Sequence, residues 1–444
     1  MSIADEVAVR FPSTTPTAPR RQTSTKKNLV GIVGVVATLA AVALSVVRTP
    51  DFGATDTIWA EDGRRFYQGT LQHNFFDLLF TPYNGYLHLV PRVLVEIVRI
   101  FPLAWAAVVI AIMGALMASL CALLVYRASA RHLRWPALRI AVAAPVALSY
   151  VGQQELANNF AGLHLLLLYV AFWMVIWNPA RRSLQLLAAF VLFAAVGSDP
   201  VAALYLPLAI LRYRTVRGWR GLFPAAAIGI GLAFQAVGIV LRDTLHSRAV
   251  SPHYDPWWAT DHYFQAVIGQ GLYTEQLNER LGNVVTPGDA HYVAWAFGAA
   301  ILALALARVT QPNWPLILVA LVHSLLLFDG LVMQGGNDSW RYELPAICLF
   351  LVAVAGALIP REGSPLRAPW KVLKAIPAFA ALALVTLCIF AGYAQDMDWR
   401  GNGPSFAAQL SQAAQTCRDP HVTEAEIKVA PAFAAWTMTV PCDL

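Results

Sequence analysis

The sequence predicts an all-α polytopic membrane protein, and three observations carry that expectation. Of its 444 residues, 58% are hydrophobic and 13% are charged, whereas soluble domains carry about 25% charged residues. Apolar runs of about 20 residues, the length a bilayer-crossing helix needs, recur from end to end. Lysines and arginines gather in alternate short connections between those runs.

Residues 1–28 are polar, basic and rich in Ser, Thr and Pro, and read as a disordered cytosolic tail. Candidate spans follow at 29–47, 103–126, 136–150, 160–177, 183–197, 200–212, 221–241, 291–307, 315–332, 344–359 and 375–394. The first is too long for a signal-peptide core and has no cleavage region after it, so it reads as an uncleaved anchor. With the N-terminus inside, the inner side collects Arg20, Arg21, Lys26 and Lys27, then Arg127, Arg131, Arg134 and Arg139. Arg181, Arg182, Arg212, Arg214, Arg217, Arg220, Arg361, Arg367, Lys371 and Lys374 follow, with Arg10 and Arg308 besides, against only Asp5, Glu6 and Glu362. This is the positive-inside signature of a multi-pass protein of the cytoplasmic membrane. The net charge of +6 is therefore topology, and no nucleic-acid site is expected.

The stretch 86–101 is helical in pattern, with His88, Arg92 and Glu96 on one face. Were it to cross, Arg127, Arg131 and Arg134 would move outside, so it reads as an external amphipathic helix. The count is about 11 crossings, with the N-terminus inside and the C-terminus outside. A transmembrane domain, 29–394, carries a first external loop at 48–102 and a long one at 242–290, followed by an external tail, 395–444. Cys121, Cys348 and Cys388 fall within spans and read as inert core residues. Cys417 and Cys442 fall in the tail, where an oxidising compartment permits a disulfide that ties it into a small unit.

Against this apolar background the polar anomalies stand out. The first external loop carries Trp59-Ala60-Glu61-Asp62-Gly63-Arg64-Arg65, and an unpaired charge at a membrane exit is costly unless it faces water, a partner or a substrate. Gln153, Gln154, Glu155, Asn158 and Asn159 interrupt the pattern on the same side, with His164 a turn further on. Asp199 joins two short spans, and Asn337, Asp338, Arg341 and Tyr342 precede another. A 13-residue helix spans about 20 Å of a hydrocarbon core about 30 Å thick, so Asp199 falls below the outer plane, where only a water-filled cavity tolerates it. Glu61/Asp62, His88/Arg92, Gln153/Glu155, Asp199 and Asp338/Arg341 are thereby expected to converge on one outward cavity. The aromatic run from His253 to Phe264 reads either as an interface belt or as a platform for a sugar ring or isoprenoid chain.

Arginine forks hold phosphate, and a carboxylate takes a proton from an attacking hydroxyl. Such a set suits sugar transfer from a lipid phosphate to an external acceptor. On Asp56, Trp59-Ala60-Glu61-Asp62-Gly63, Asn84-Gly85-Tyr86-Leu87-His88 with Pro91-Arg92, and Arg341-Tyr342, the chain resembles the GT-C-fold glycosyltransferases over residues 29–394. The resemblance implies a polyprenyl-phosphate sugar donor, an envelope glycan, lipid or protein acceptor, and a first-loop acid as base. In some members it also implies a divalent cation such as Mg or Mn. Carried onto this sequence, the base is Glu61 or Asp62, and Trp59, Arg65, His88, Arg92, Asp199, Asp338, Arg341 and Tyr342 bind substrate. Two other functions suit the same residues: a lipid-linked sugar flippase or transporter, and an O-antigen ligase or polymerase, which the long loop 242–290 keeps in view.

Overall fold

The computed structural model describes residues 24–242, 253–335, 340–361, 374–393 and 399–443. The architecture is helical. Helices α1 (Ser24–Val47), α2 (Leu89–Val98), α3 (Ala106–Ala128), α4 (Pro136–Ala147), α5 (Leu163–Ile176), α6 (Arg182–Ser198) and α7 (Leu206–Thr215) come first. They are followed by α8 (Trp219–Arg242), α9 (Pro256–Tyr263), α10 (Ala290–Leu306), α11 (Trp314–Gly335), α12 (Trp340–Ala357) and α13 (Ile376–Ala391). The tail adds α14 (Phe406–Thr416), β1 (Glu424–Lys428) and β2 (Thr437–Pro441).

By length and composition, 4 helices can cross a membrane: Leu103–Arg131, Trp219–Arg242, Trp314–Gly335 and Trp340–Ala357. Shorter apolar helices of 10–17 residues stand beside them, α5 and α6 included. Val240, Leu318 and Phe390 are 82%, 64% and 73% exposed, an apolar surface that water does not favour and lipid does. The segment expected as a single span at 200–212 is divided. Pro200–Tyr205 is a 3-10 turn capped by the Asp199 carboxylate, and α7 begins only at Leu206.

The innermost elements are α5 and α12. Every residue of α5 is buried except His164, and α12 is buried from Tyr342 to Ala357. A helix apolar all round belongs inside a bundle, so the one polar residue of α5 marks where that helix meets something other than hydrocarbon.

The tail departs from the all-α expectation. β1 and β2 pair antiparallel with Ala425 opposite Val440 and Ile427 opposite Met438, and burial alternates along both strands as period-2 side chains require. Cys417 and Cys442 are joined across this unit, Cα to Cα 5.3 Å. The unit rests on the first loop, between α1 and α3. The Ala430 amide donates to Ile58 O at 2.9 Å, and Thr439 N donates to Gln68 Oε1 at 3.1 Å. Asp56 accepts from Ser405 Oγ at 2.6 Å and Ala407 N at 2.8 Å, stopping the free end of α14.

Candidate active site

The two adjacent carboxylates of the first loop have different surroundings. Asp62 is fully buried, and its oxygens accept from the amides of Phe160 at 2.9 Å and Ala161 at 2.8 Å. Burial pushes this carboxyl up to about 7, against the pull of those amides and of Arg400. Arg400, from the tail, is also buried and donates to Ala54 O, Thr57 O, Ala157 O and Asn158 O. Asp62 and Arg400 thus fasten the first loop, the 157–161 loop and the tail to one another. Asp62 does not line the cavity beside it. Asp62, expected as a candidate base, thus accepts one backbone hydrogen bond at each oxygen and stands off the cavity wall.

Glu61 turns the other way. It lines a cavity of about 40 Å³ together with Trp59, Tyr86, His88, Glu155, His164, Arg341 and others, room for about three water molecules. Arg341 Nη1 lies 3.6 Å from Glu61 Oε1 and 3.2 Å from Glu155 Oε2, so one guanidinium bridges two carboxylates. Nη2 lies 3.4 Å from Tyr342 Oη. Glu61 Oε2 and Arg341 Nε are buried without a hydrogen-bond partner among the described residues. A buried polar atom without a partner costs about 1–3 kcal/mol, so these two atoms point to a water or ligand.

Local sequence sets this geometry. Gly152 (φ 65°) opens the turn Gln153–Leu156 that carries Glu155, and a Cβ there would lie 2.9 Å from Arg341 Cα. Only glycine lets the Glu155 turn approach the start of α12 so closely. Across the cavity, Asn84 (φ 55°) and Gly85 (φ 95°) make a two-residue turn that pairs Tyr83 with Tyr86. Gln235 of α8 clamps the next residue. It accepts from Leu87 N at 3.0 Å and donates to Leu87 O at 3.1 Å.

That clamp presents His88 to the cavity. Its ring stacks on Tyr86 at 4.3 Å and on His164 at 5.5 Å. Burial, with His164 and Arg92 nearby, holds its pKa well below the usual imidazole range, and Nδ1 has no partner among the described residues. His164 Nδ1 lies 3.5 Å from Tyr86 Oη and 3.7 Å from Asp199 Oδ2. Asp199 stands behind the cavity wall. Its Oδ1 caps the turn by accepting from Val201 N at 2.9 Å, and burial pushes the carboxyl up to about 7.

Other expected binding residues lie elsewhere. Arg92 is buried and donates to Arg65 O at 2.5 Å and Thr81 O at 3.2 Å, with Phe66 stacked on its guanidinium. It holds loop backbone and does not line the cavity; the helical spacing with His88 was real, but the face turns into the loop. Arg65 is exposed and sits over the Tyr83 ring at 5.2 Å. Trp59 and Tyr342 line the cavity as expected. Asp338 lies outside the described residues. The aromatic segment packs on α11, where Tyr263 Oη donates to Ser324 Oγ at 3.0 Å, and is absent from the cavity wall. Sequence reasoning brought Glu155 to this cavity without giving it a role, noted His164 only as a polar residue nearby, and met Tyr86 only within the Asn84–His88 motif. Nothing in the sequence signalled Arg400.

The two carboxylates of the cavity share Arg341, and among the described residues no three His, Cys, Asp or Glu groups converge to hold a divalent cation. No protein-family model matches the chain, and no curated protein matches its sequence.

Proposed function

We propose that this chain is an inverting GT-C-type glycosyltransferase of the cytoplasmic membrane, with about 11 crossings and its cavity facing outward. The observation that carries the reading is Arg341 bridging Glu61 and Glu155 in a polar cavity, at one end of an apolar helix bundle. The donor is a polyprenyl-phosphate sugar, and the acceptor is a hydroxyl of an envelope glycan, lipid or protein.

The acceptor oxygen attacks the anomeric carbon, the bond from that carbon to the phosphate oxygen breaks, and polyprenyl phosphate leaves. The acceptor proton passes to the Glu61 carboxylate. Arg341 serves both partners. A donor phosphate takes hydrogen bonds from the guanidinium, which frees Glu61 to meet the acceptor hydroxyl and stabilises the charge that grows on the leaving group. Glu155 keeps Arg341 in place throughout. His88, kept neutral by burial, and His164, backed by Asp199, offer hydrogen bonds to sugar hydroxyls.

The test is glycan and glycolipid profiling of a deletion strain complemented with the wild type or with Glu61→Gln. The expected result is loss of one sugar residue, restored only by the wild type. An unchanged glycan profile, with lipid-linked sugar held on the inner leaflet, would instead favour a flippase.

A further inference from the structure

The end of the bundle away from the cavity has a different chemistry. Helix α5 leaves the cavity at His164 and its 14 residues advance about 21 Å. The chain turns at 177–181 and α6 returns to Asp199 beside His164. Whatever surrounds that turn therefore lies a helix length from the cavity. There Ala180, Arg182, Gln185, Arg217, Trp219 and Arg220 enclose an open concavity of about 630 Å³.

Three segments meet at this end. Residues 127–139, 177–185 and 211–220 carry four, two and four arginines and no Asp or Glu. The second and third are in contact, since Arg220 donates to Ala180 O at 3.2 Å and Arg212 donates to Trp177 O. The first lies at the same end of α5, where the His132 ring is 6.2 Å from that of Trp173. Some of the arginines are spent on structure: Arg212 on the carbonyls of Val175 and Trp177, Arg139 on that of Tyr126. Arg182 and Arg217, by contrast, are exposed at the concavity. A positive-inside bias explains why arginines lie on this side. It does not explain why they surround a hollow.

We infer that this concavity is a binding site for the phosphate headgroup of an anionic phospholipid. Depth argues for a lipid: Trp219 lines the hollow, is 42% exposed, and starts an apolar helix whose Leu222 and Ile230 face outward. Tryptophan favours the headgroup level of a bilayer. Charge argues for an anion, because guanidinium groups hold phosphate with paired hydrogen bonds, and basic pockets between helices at this level select anionic headgroups. The site is independent of the reaction at the other end.

The experiment is native mass spectrometry of the full-length protein in detergent, titrated with phosphatidylglycerol, phosphatidylcholine or inorganic phosphate. The variant is Arg182→Gln with Arg217→Gln; Arg220 is left alone because it also holds the 180 turn. Arg99→Gln, at an exposed site outside the hollow, is the control. Phosphatidylglycerol should bind the wild type and the control, with affinity lowered roughly 10–30-fold in the double variant. Phosphatidylcholine should bind all three equally weakly. Equal phosphatidylglycerol binding by wild type and double variant overturns the site, and saturation by inorganic phosphate at matching concentration overturns its assignment to a lipid. Should the glutamine pair fail to fold, Arg182→Lys with Arg217→Lys replaces it. That pair keeps the charge and loses the forks, so affinity should fall by a smaller factor, and no fall counts against the proposal.

Discussion

Glu61 and Asp62 are adjacent in the chain, and both are buried, yet they belong to different kinds of polar region. Around Asp62 the polar atoms meet backbone: two amides reach its carboxylate, and Arg400 reaches four carbonyls. Around Glu61 they meet one another and a cavity, with Glu61 Oε2, His88 Nδ1 and Arg341 Nε left without partners among the described residues. The first pattern fastens loops, since buried polar groups stabilise only when satisfied. The second holds groups ready for something not yet bound. Burial and charge alone do not separate the two regions. Satisfaction of hydrogen bonds does.

The sharpest way to break this comparison is to exchange each carboxylate for its amide. Glu61→Gln keeps the shape of the cavity wall but cannot take a proton, so sugar transfer should fall by about 10²–10⁴. Its elution profile and unfolding midpoint should stay close to wild type. A transfer assay on purified protein with a polyprenyl-phosphate sugar decides it, and an undiminished rate would remove Glu61 as the base.

Asp62→Asn should do the reverse. The amide offers one oxygen to two backbone donors and turns an NH₂ toward the other, leaving a buried donor facing a donor, at a cost of about 1–3 kcal/mol. Folded yield and thermal midpoint should drop, with transfer per folded molecule falling less than in Glu61→Gln. A variant that melts like wild type yet loses transfer would reverse the assignment and make Asp62 the base.

The helical class was legible in the sequence because composition and apolar periodicity survive any topology. The location of the site was legible too. Glu61, Trp59, His88, Arg341 and Tyr342 do line one cavity, since charge in an apolar chain has few places to go. What could not be read was orientation. Glu61 and Asp62 are equivalent in a sequence, and only the 160–161 amides distinguish them. Arg92 shares a helical face with His88, yet its guanidinium is taken by the carbonyls of Arg65 and Thr81. Arg400 is 338 residues from Asp62 in the chain, a separation no local pattern reports. The β1–β2 pair was missed for a related reason: two 5-residue strands give too short an alternation to stand out in a tail read chiefly for its cysteines.

The smallest expected effect concerns Asp199, which shares features of both regions: one oxygen caps a turn, and the other faces His164 across 3.7 Å. Burial lifts its carboxyl from 3.8 to about 7. The native state therefore binds a proton more firmly than the unfolded chain does, and its advantage is complete below the unfolded value and lost as pH rises through about 7. Asp62 contributes a slope of the same sign. Asp199→Asn keeps an oxygen to cap Val201 N and removes one of the two slopes. Relative to wild type, its unfolding midpoint in detergent should thus improve from pH 5 to about pH 7 and level off above it, by a few degrees at most. The glycosyl-transfer reading adds a second expectation. Above about pH 7, where the wild-type carboxyl is ionised, an uncharged residue 199 no longer sets a negative charge against His164, so transfer should differ from wild type there and match it below. A parallel pH dependence of stability in variant and wild type would mean that Asp199 is ionised throughout this range, and that it belongs with the satisfied carboxylates of the loop anchor.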